Sequence, residues 1–224
     1  MASVRARLEQ QQDRQSAQQK LERFMAQGKV WQGVHPVEQD LQQATVSTGV
    51  AALDECLHGG WQWQRLHEIQ LAQPFSGELA LLRSALAFCA HEKRPVFWVS
   101  PPALPFMPGL AFPQQPHSQH ILLQPQSEAD ALWAVEQVLM SGSAGMVLLW
   151  QGHLTAAACR RLHLAVQQSG AFAVVISPEQ SAEARAYTTR LRLNAKQQEV
   201  QVLKRSGGWP TTIHLPRMPF WKSH

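Results

Sequence analysis

The 224-residue sequence lacks the run of roughly 18 apolar residues that a membrane-crossing helix needs, so no membrane segment is expected. Its first residues, MASVRARLEQQQDRQ, have no apolar stretch of the kind a secretory signal carries. Cysteine is scarce. Cys56, Cys89 and Cys159 stand far apart, odd in number and without a CxxC pair, which reads against a disulfide framework or a thiolate metal knuckle and for reduced residues of a cytoplasmic protein. Ten histidines are scattered. His117 and His120 form HSQH, but in a Pro-rich stretch with no Cys or carboxylate beside it, so a solvated loop is expected and no metal. No cluster of Ser, His and Asp and no paired acids with a base between them can be picked out. Glu68, Glu78 and Glu136 are the carboxylates available, and no catalytic group is assigned among them.

What is present is a 45% apolar chain, enough for one core of about 170–180 residues plus an appendage. The net charge of +4 suits a phosphate-bearing partner without requiring one. Residues 1–33 read as a Gln-rich helix followed by a short strand. Six of the residues from Gln10 to Gln19 are glutamine, and Leu21, Phe24 and Met25 then make a narrow apolar face before Gly28. That face packs either on its own domain or on a neighbouring chain. Lys29–Gly33 has strand character, and residues 34–44 read as a linker.

From Thr45 the order is legible. A helix is expected over Ser47–Leu57, capped by Ser and Thr and stopped by Gly59-Gly60, and then a strand over Arg65–Leu71. A helix over Gly77–His91 and a buried strand over Pro95–Ser100 follow. Residues 101–119 hold six of the 14 prolines and read as a loop. A short strand (Ile121–Leu123), a helix (Glu128–Met140), a buried strand (Gly145–Trp150), a helix (Thr155–Gln168) and another buried strand (Ala171–Ile176) complete an alternating pattern. Continuous apolar strands between helices imply a three-layer α/β/α fold around a mostly parallel sheet. Arg190–Leu193, Glu199–Leu203 and Thr211–Leu215 alternate like half-exposed strands and predict an antiparallel meander at one edge. The core is thus assigned to residues 45–216, with a tail at 217–224.

A strand, a glycine-containing loop and a helix make the layout of a phosphate-binding loop, in which helix N–H groups and a lysine face the phosphates. Here the loop reads Ala72-Gln73-Pro74-Phe75-Ser76-Gly77-Glu78-Leu79. Glu78 stands where the lysine belongs and Leu79 where a Mg²⁺-holding Ser or Thr belongs. At an effective dielectric of 20, one unit-charge contact at 4 Å is worth about 4 kcal/mol, so reversing its sign costs roughly twice that before screening. Pro74 removes one more backbone donor. The strand before Trp150 lacks the magnesium-organising Asp of an active ATPase, and the strand ending at Val99 is followed by Ser100-Pro101-Pro102 rather than a carboxylate. Gln73, Ser76, Gly77 and Glu78 are therefore read as a vestigial loop, with no cofactor expected.

Ser47-Thr48-Gly49-Val50-Ala51-Ala52-Leu53-Asp54, followed by Gly59-Gly60-Trp61 and Arg65-Leu66-His67-Glu68-Ile69, resembles the start of the RecA recombinase core. Several further segments resemble the ImuA family. They are Val30–Gly33, Gly59–Trp61, Ser76–Leu82, Trp98–Pro102, Asp130–Gln137 and Leu203–Gly208, in the same order and spacing, over about residues 30–215. The Gly-Glu-Leu element belongs to that family, whereas the family more often has Gly-Ile-Gly-Glu where this chain has Phe75-Ser76-Gly77-Glu78. The resemblance implies a RecA-like fold with a degenerate nucleotide loop. It implies an accessory role without chemistry of its own in damage-induced, error-prone translesion synthesis in a bacterial cytoplasm, at the nucleoid. The implied partners are ImuB, an error-prone DNA polymerase III alpha-type subunit and RecA. Leu21, Phe24, Val30, Trp31, Trp209, Phe220 and Trp221 are candidate protein contacts, toward such a partner or a second copy of the chain. Lys204 and Arg205, beside a glycine turn, are candidate DNA contacts, whether DNA is met directly, weakly or only through partners. The alternative is a SulA-like inhibitor of cell division acting on FtsZ, which shares the degenerate architecture.

Overall fold

The computed structural model describes residues 44–106, 109, 119–179 and 183–216. The expected N-terminal helix and strand, nearly all of the linker and the tail lie outside these residues. So do Leu21, Phe24, Val30, Trp31, Phe220, Trp221 and His117. The described residues all belong to one compact unit.

In chain order the elements are β1 (Thr45–Val46), α1 (Ala51–Cys56), β2 (Trp61–Gln62), β3 (Leu66–Leu71), a 3₁₀ turn (Glu78–Leu82), α2 (Arg83–His91), β4 (Val96–Val99), β5 (His120–Leu123) and α3 (Glu128–Met140). Then come β6 (Met146–Trp150), α4 (Ala156–Ser169), β7 (Phe172–Pro178), β8 (Thr189–Asn194), β9 (Glu199–Lys204) and β10 (Thr211–His214). Eight strands form one sheet in the order β10-β9-β8-β3-β7-β6-β4-β5, and β1 and β2 pair apart from it. From β8 through β5 every pairing is parallel, and only the β8–β9 and β9–β10 pairings are antiparallel. The fold is therefore α/β with a mostly parallel sheet flanked by helices. The antiparallel meander expected at one edge is present: β8, β9 and β10 pair antiparallel in succession, and β8 joins it to the rest of the sheet through its parallel pairing with β3. Among the described residues no helix is long and apolar enough to cross a membrane.

Alternation along the inner strands sorts the core into two layers. Met146, Leu148, Phe172 and Val174 face one side with Trp61, Leu82, Leu86 and Trp98. Val147, Leu149, Ala173 and Val175 face the other, against Val135 and Leu139 of α3 and Leu162 and Val166 of α4. Strands buried on both faces need apolar residues at every position, which is why GMVLLW and AFAVVI read as unbroken apolar runs. Each such large side chain contributes about 1.5–3 kcal/mol on burial.

Of three local expectations, the first two are corrected and the third is met. The first concerns the start of α1, where Val50 occupies the cap position and offers no side-chain cap. Asp54 does the work from inside the helix. Its carboxylate accepts the Thr48 N–H and hydroxyl, both at 2.7 Å, and the Ser47 hydroxyl at 2.5 Å. The second concerns Gly77–His91, which is not one helix: a 3₁₀ turn precedes α2, which starts only at Arg83. The third concerns Arg65–Leu71. It forms β3 as expected, from Leu66 onward, and all six residues of β3 are buried. The strand is central, with β7 and β8 on either side.

Candidate functional site

The loop after β3 is where a parallel α/β sheet places its ligands, outside the carboxyl ends of the strands. In this chain it folds back on itself. The Ser76 hydroxyl donates to the Gln73 carbonyl at 2.6 Å. Phe75 takes a positive φ of 63° with its ring 70% exposed, and Gly77, at φ 91°, turns the chain into the 3₁₀ segment. Glu78 is buried, and its Oε1 accepts the Phe75 N–H at 3.3 Å, while Oε2 has no partner. A loop N–H that a phosphate would claim is thus taken by the chain's own carboxylate. The first full helix begins five residues later, so its N–H groups are displaced from the loop as well.

Beside this loop lies a cavity of about 380 Å³, bounded by the ends of β3, β4, β6 and β7. Gln73 and Pro74 border it; Ser76, Gly77 and Glu78 do not, so the structure separates the four residues of the vestigial loop. None of the described residues lining it carries a charge. Trp150, at the end of β6, stacks on Trp98 with ring centroids 5.8 Å apart and planes 15° from parallel. Trp98 in turn donates its indole N–H to Nδ1 of His120 at 3.1 Å, and burial lowers the pKa of that histidine. Two polar atoms among the lining residues, Trp150 Nε1 and Gln151 Oε1, are buried without a partner.

A second polar cluster escaped the sequence reading. Glu68 and Gln70 of β3 stand opposite Arg190 and Arg192 of β8 in the parallel register. Arg190 Nε meets Glu68 Oε2 at 2.6 Å, with both side chains almost wholly buried. Glu68 also accepts from Ser177 and Gln70, each at 3.2 Å. Arg190 donates further to the Glu183 carbonyl at 2.6 Å and lies 5.5 Å from the Tyr187 ring. Arg192 donates to Gln70 Oε1. The signal was in the sequence: in HEIQ and RLRL the polar residues alternate at the same period, so in-register pairing aligns acid and amide with the two arginines. Only the neighbour relation between β3 and β8 was missing. Glu136, the remaining spare carboxylate, accepts from Arg161 Nε between α3 and α4 at 3.0 Å.

The candidate DNA contacts are engaged within the fold. Lys204 Nζ donates to the Arg185 carbonyl at 3.0 Å, and desolvation, then the nearby Arg190 charge, lowers its pKa. Arg205 donates to the Cys56 carbonyl at the end of α1 and to the Trp209 carbonyl at 3.2 Å. Trp209 itself is 86% exposed, so its ring does not cap the β9–β10 turn. The cysteines are free; Cys89 and Cys159 are buried, and burial pushes the Cys89 thiol up to about 12. No protein-family model matches the chain, and no curated protein matches it significantly.

Proposed function

We propose that this chain is a RecA-like accessory protein of error-prone translesion DNA synthesis that binds partners and does not hydrolyse ATP. The observation that carries the non-catalytic half is the Glu78 carboxylate, buried in the loop and accepting a loop N–H. A phosphate brought there meets a negative charge and no lysine. Trp150 at the end of β6 offers no oxygen to a metal, and none of the described residues lining the cavity is a cation. The mostly parallel sheet with antiparallel strands at one edge supports the RecA-like reading. The partners follow from the resemblance to the ImuA family: ImuB, an error-prone DNA polymerase III alpha-type subunit and RecA, in the bacterial cytoplasm at the nucleoid. The exposed Trp209 is the described aromatic best placed to meet one of them.

The test is a pull-down of the full chain against ImuB, RecA and FtsZ, with Mg²⁺-ATP binding measured on the same sample. Retention of ImuB or RecA without ATP binding is expected. Retention of FtsZ alone would replace this reading with the division-inhibitor one, and tight Mg²⁺-ATP binding would overturn the non-catalytic half.

A further inference from the structure

We infer that the outer face of α3 and α4 docks an amphipathic helical segment of a partner protein, one that carries acidic side chains beside its apolar ones. Trp133, Met140 and Leu164 are 64%, 76% and 52% exposed, although all three are large and apolar. Scattered singly, such residues need no explanation, but these three are neighbours. Trp133 and Met140 share one stripe of α3, with Glu136 between them at helical spacing. Glu136 accepts from Arg161 of α4 at 3.0 Å, which fixes how the two helices lie side by side. Each helix connects two strands of the parallel part of the sheet, so both run the same way. One turn beyond the Glu136–Arg161 pair therefore brings Met140 beside Leu164.

Charge and element type decide the occupant. The α4 sequence, AAACRRLHLAVQQS, carries Arg160 and Arg161 and no acid. Glu136 is already held by Arg161, while Arg160 is exposed on the same stripe as Leu164, one turn before it. A partner that brings carboxylates to Arg160 and apolar side chains to the Trp133–Met140–Leu164 stripe complements the surface in both respects. Helices have their backbone groups bonded internally and offer no edge for an added strand, so recognition falls to side chains, as when one amphipathic helix lies on a helical surface. Trp, Met and Arg are also the residue types that interfaces favour. This inference rests on the partner-binding reading above and adds to it a surface apart from Trp209, which lies between β9 and β10.

The test measures the affinity of the full chain for ImuB and for RecA. Trp133→Ser should weaken the binding of one of them about thirtyfold. Arg160→Glu should weaken the same complex about fivefold, and raising the salt concentration should shrink that difference. Both positions are exposed, so both variants should keep the unaltered Tm, which separates lost docking from lost folding. Unchanged affinity of Trp133→Ser for every partner that the unaltered chain binds would overturn this surface and leave the partner-binding reading standing. Unchanged affinity of Arg160→Glu would overturn the acidic partner. Failure of the unaltered, folded chain to bind either protein would remove both readings together. Two further outcomes would overturn the proposal by naming another occupant: self-association of the chain that Trp133→Ser abolishes, and Trp133-dependent binding to phosphatidylglycerol vesicles.

Discussion

His67 lies in β3 with no exposed surface, its Nε2 2.8 Å from the Gln62 carbonyl and its ring against Trp61 and Phe172. The contact to a carbonyl puts the proton on Nε2 and leaves Nδ1 as a buried lone pair, so the neutral ring is the form the fold accepts. Burial lowers its pKa from 6.5 to about 4. Between those values the unfolded chain holds a proton that the folded chain refuses. Stability present above pH 6.5 is therefore lost as the pH falls toward 4, by about 3 kcal/mol for this residue. Urea denaturation between pH 7 and 4 should show that loss, and His67→Gln should flatten it. The Glu68–Arg190 pair makes a different prediction. Both charges are buried, so Glu68→Ala strands a guanidinium and should cost about 3–5 kcal/mol. Glu68→Leu combined with Arg190→Met removes both charges and should cost much less than the sum of the single changes. A double-mutant cycle by chemical denaturation reads this directly.

At the scale of elements, the segment from Ser47 to Trp61 is a clasp around one carboxylate. Asp54 holds Ser47 and Thr48, and Gly60 allows the chain to return. A Cβ on Gly60 would lie 2.3 Å from the Val46 carbonyl oxygen, at a φ of 110° that side chains disfavour. Asp54→Ala should lower stability by about 1–3 kcal/mol, read as a drop in Tm, because it removes three hydrogen bonds to a charged acceptor at the surface of the core. The Ser-Thr-Gly and Leu-Asp motif is legible in the sequence as a conspicuous pattern. Its reason is not, because the acceptor lies inside the helix and reaches backward. The same limit applies to Gly77–His91. Helical spacing of Leu79, Leu82 and Leu86 is real, but a 3₁₀ turn and an α-helix share it closely enough over one turn that only the backbone separates them.

Across the whole molecule, β3 is paired on both sides and wholly buried, while β5 and β10 lie at the two edges of the sheet. Exposed Ile121 and Leu122 on β5 and the largely exposed β10 have little apolar burial to hold them. Hydrogen exchange should therefore release β5 and β10 amides through local opening, while β3 and β7 amides exchange only on global unfolding. Equal rates in β3 and β10 would contradict the sheet order. Most of the alternating pattern was readable beforehand, since fully apolar strands and amphipathic helices announce themselves by period. The bounds of α3 agree residue for residue, because Ser127 caps it and accepts the Asp130 N–H. Of the candidate site, the residues of the loop after β3 were readable and the cavity beside it was not.

Sequence by itself determined the period of each element, the apolar content that makes the inner strands central, and which residue types the loop after β3 carries. These are properties of residue type and local spacing. Tertiary structure alone decided that β8 joins β3 in parallel, that Glu68 therefore meets Arg190, and that Glu78 turns into its own loop. It also decided that Trp150 Nε1 and Gln151 Oε1 are buried without a partner. Those outcomes depend on which distant segments become neighbours, and strand order and burial are set by the packing of the whole sheet rather than by any stretch of it.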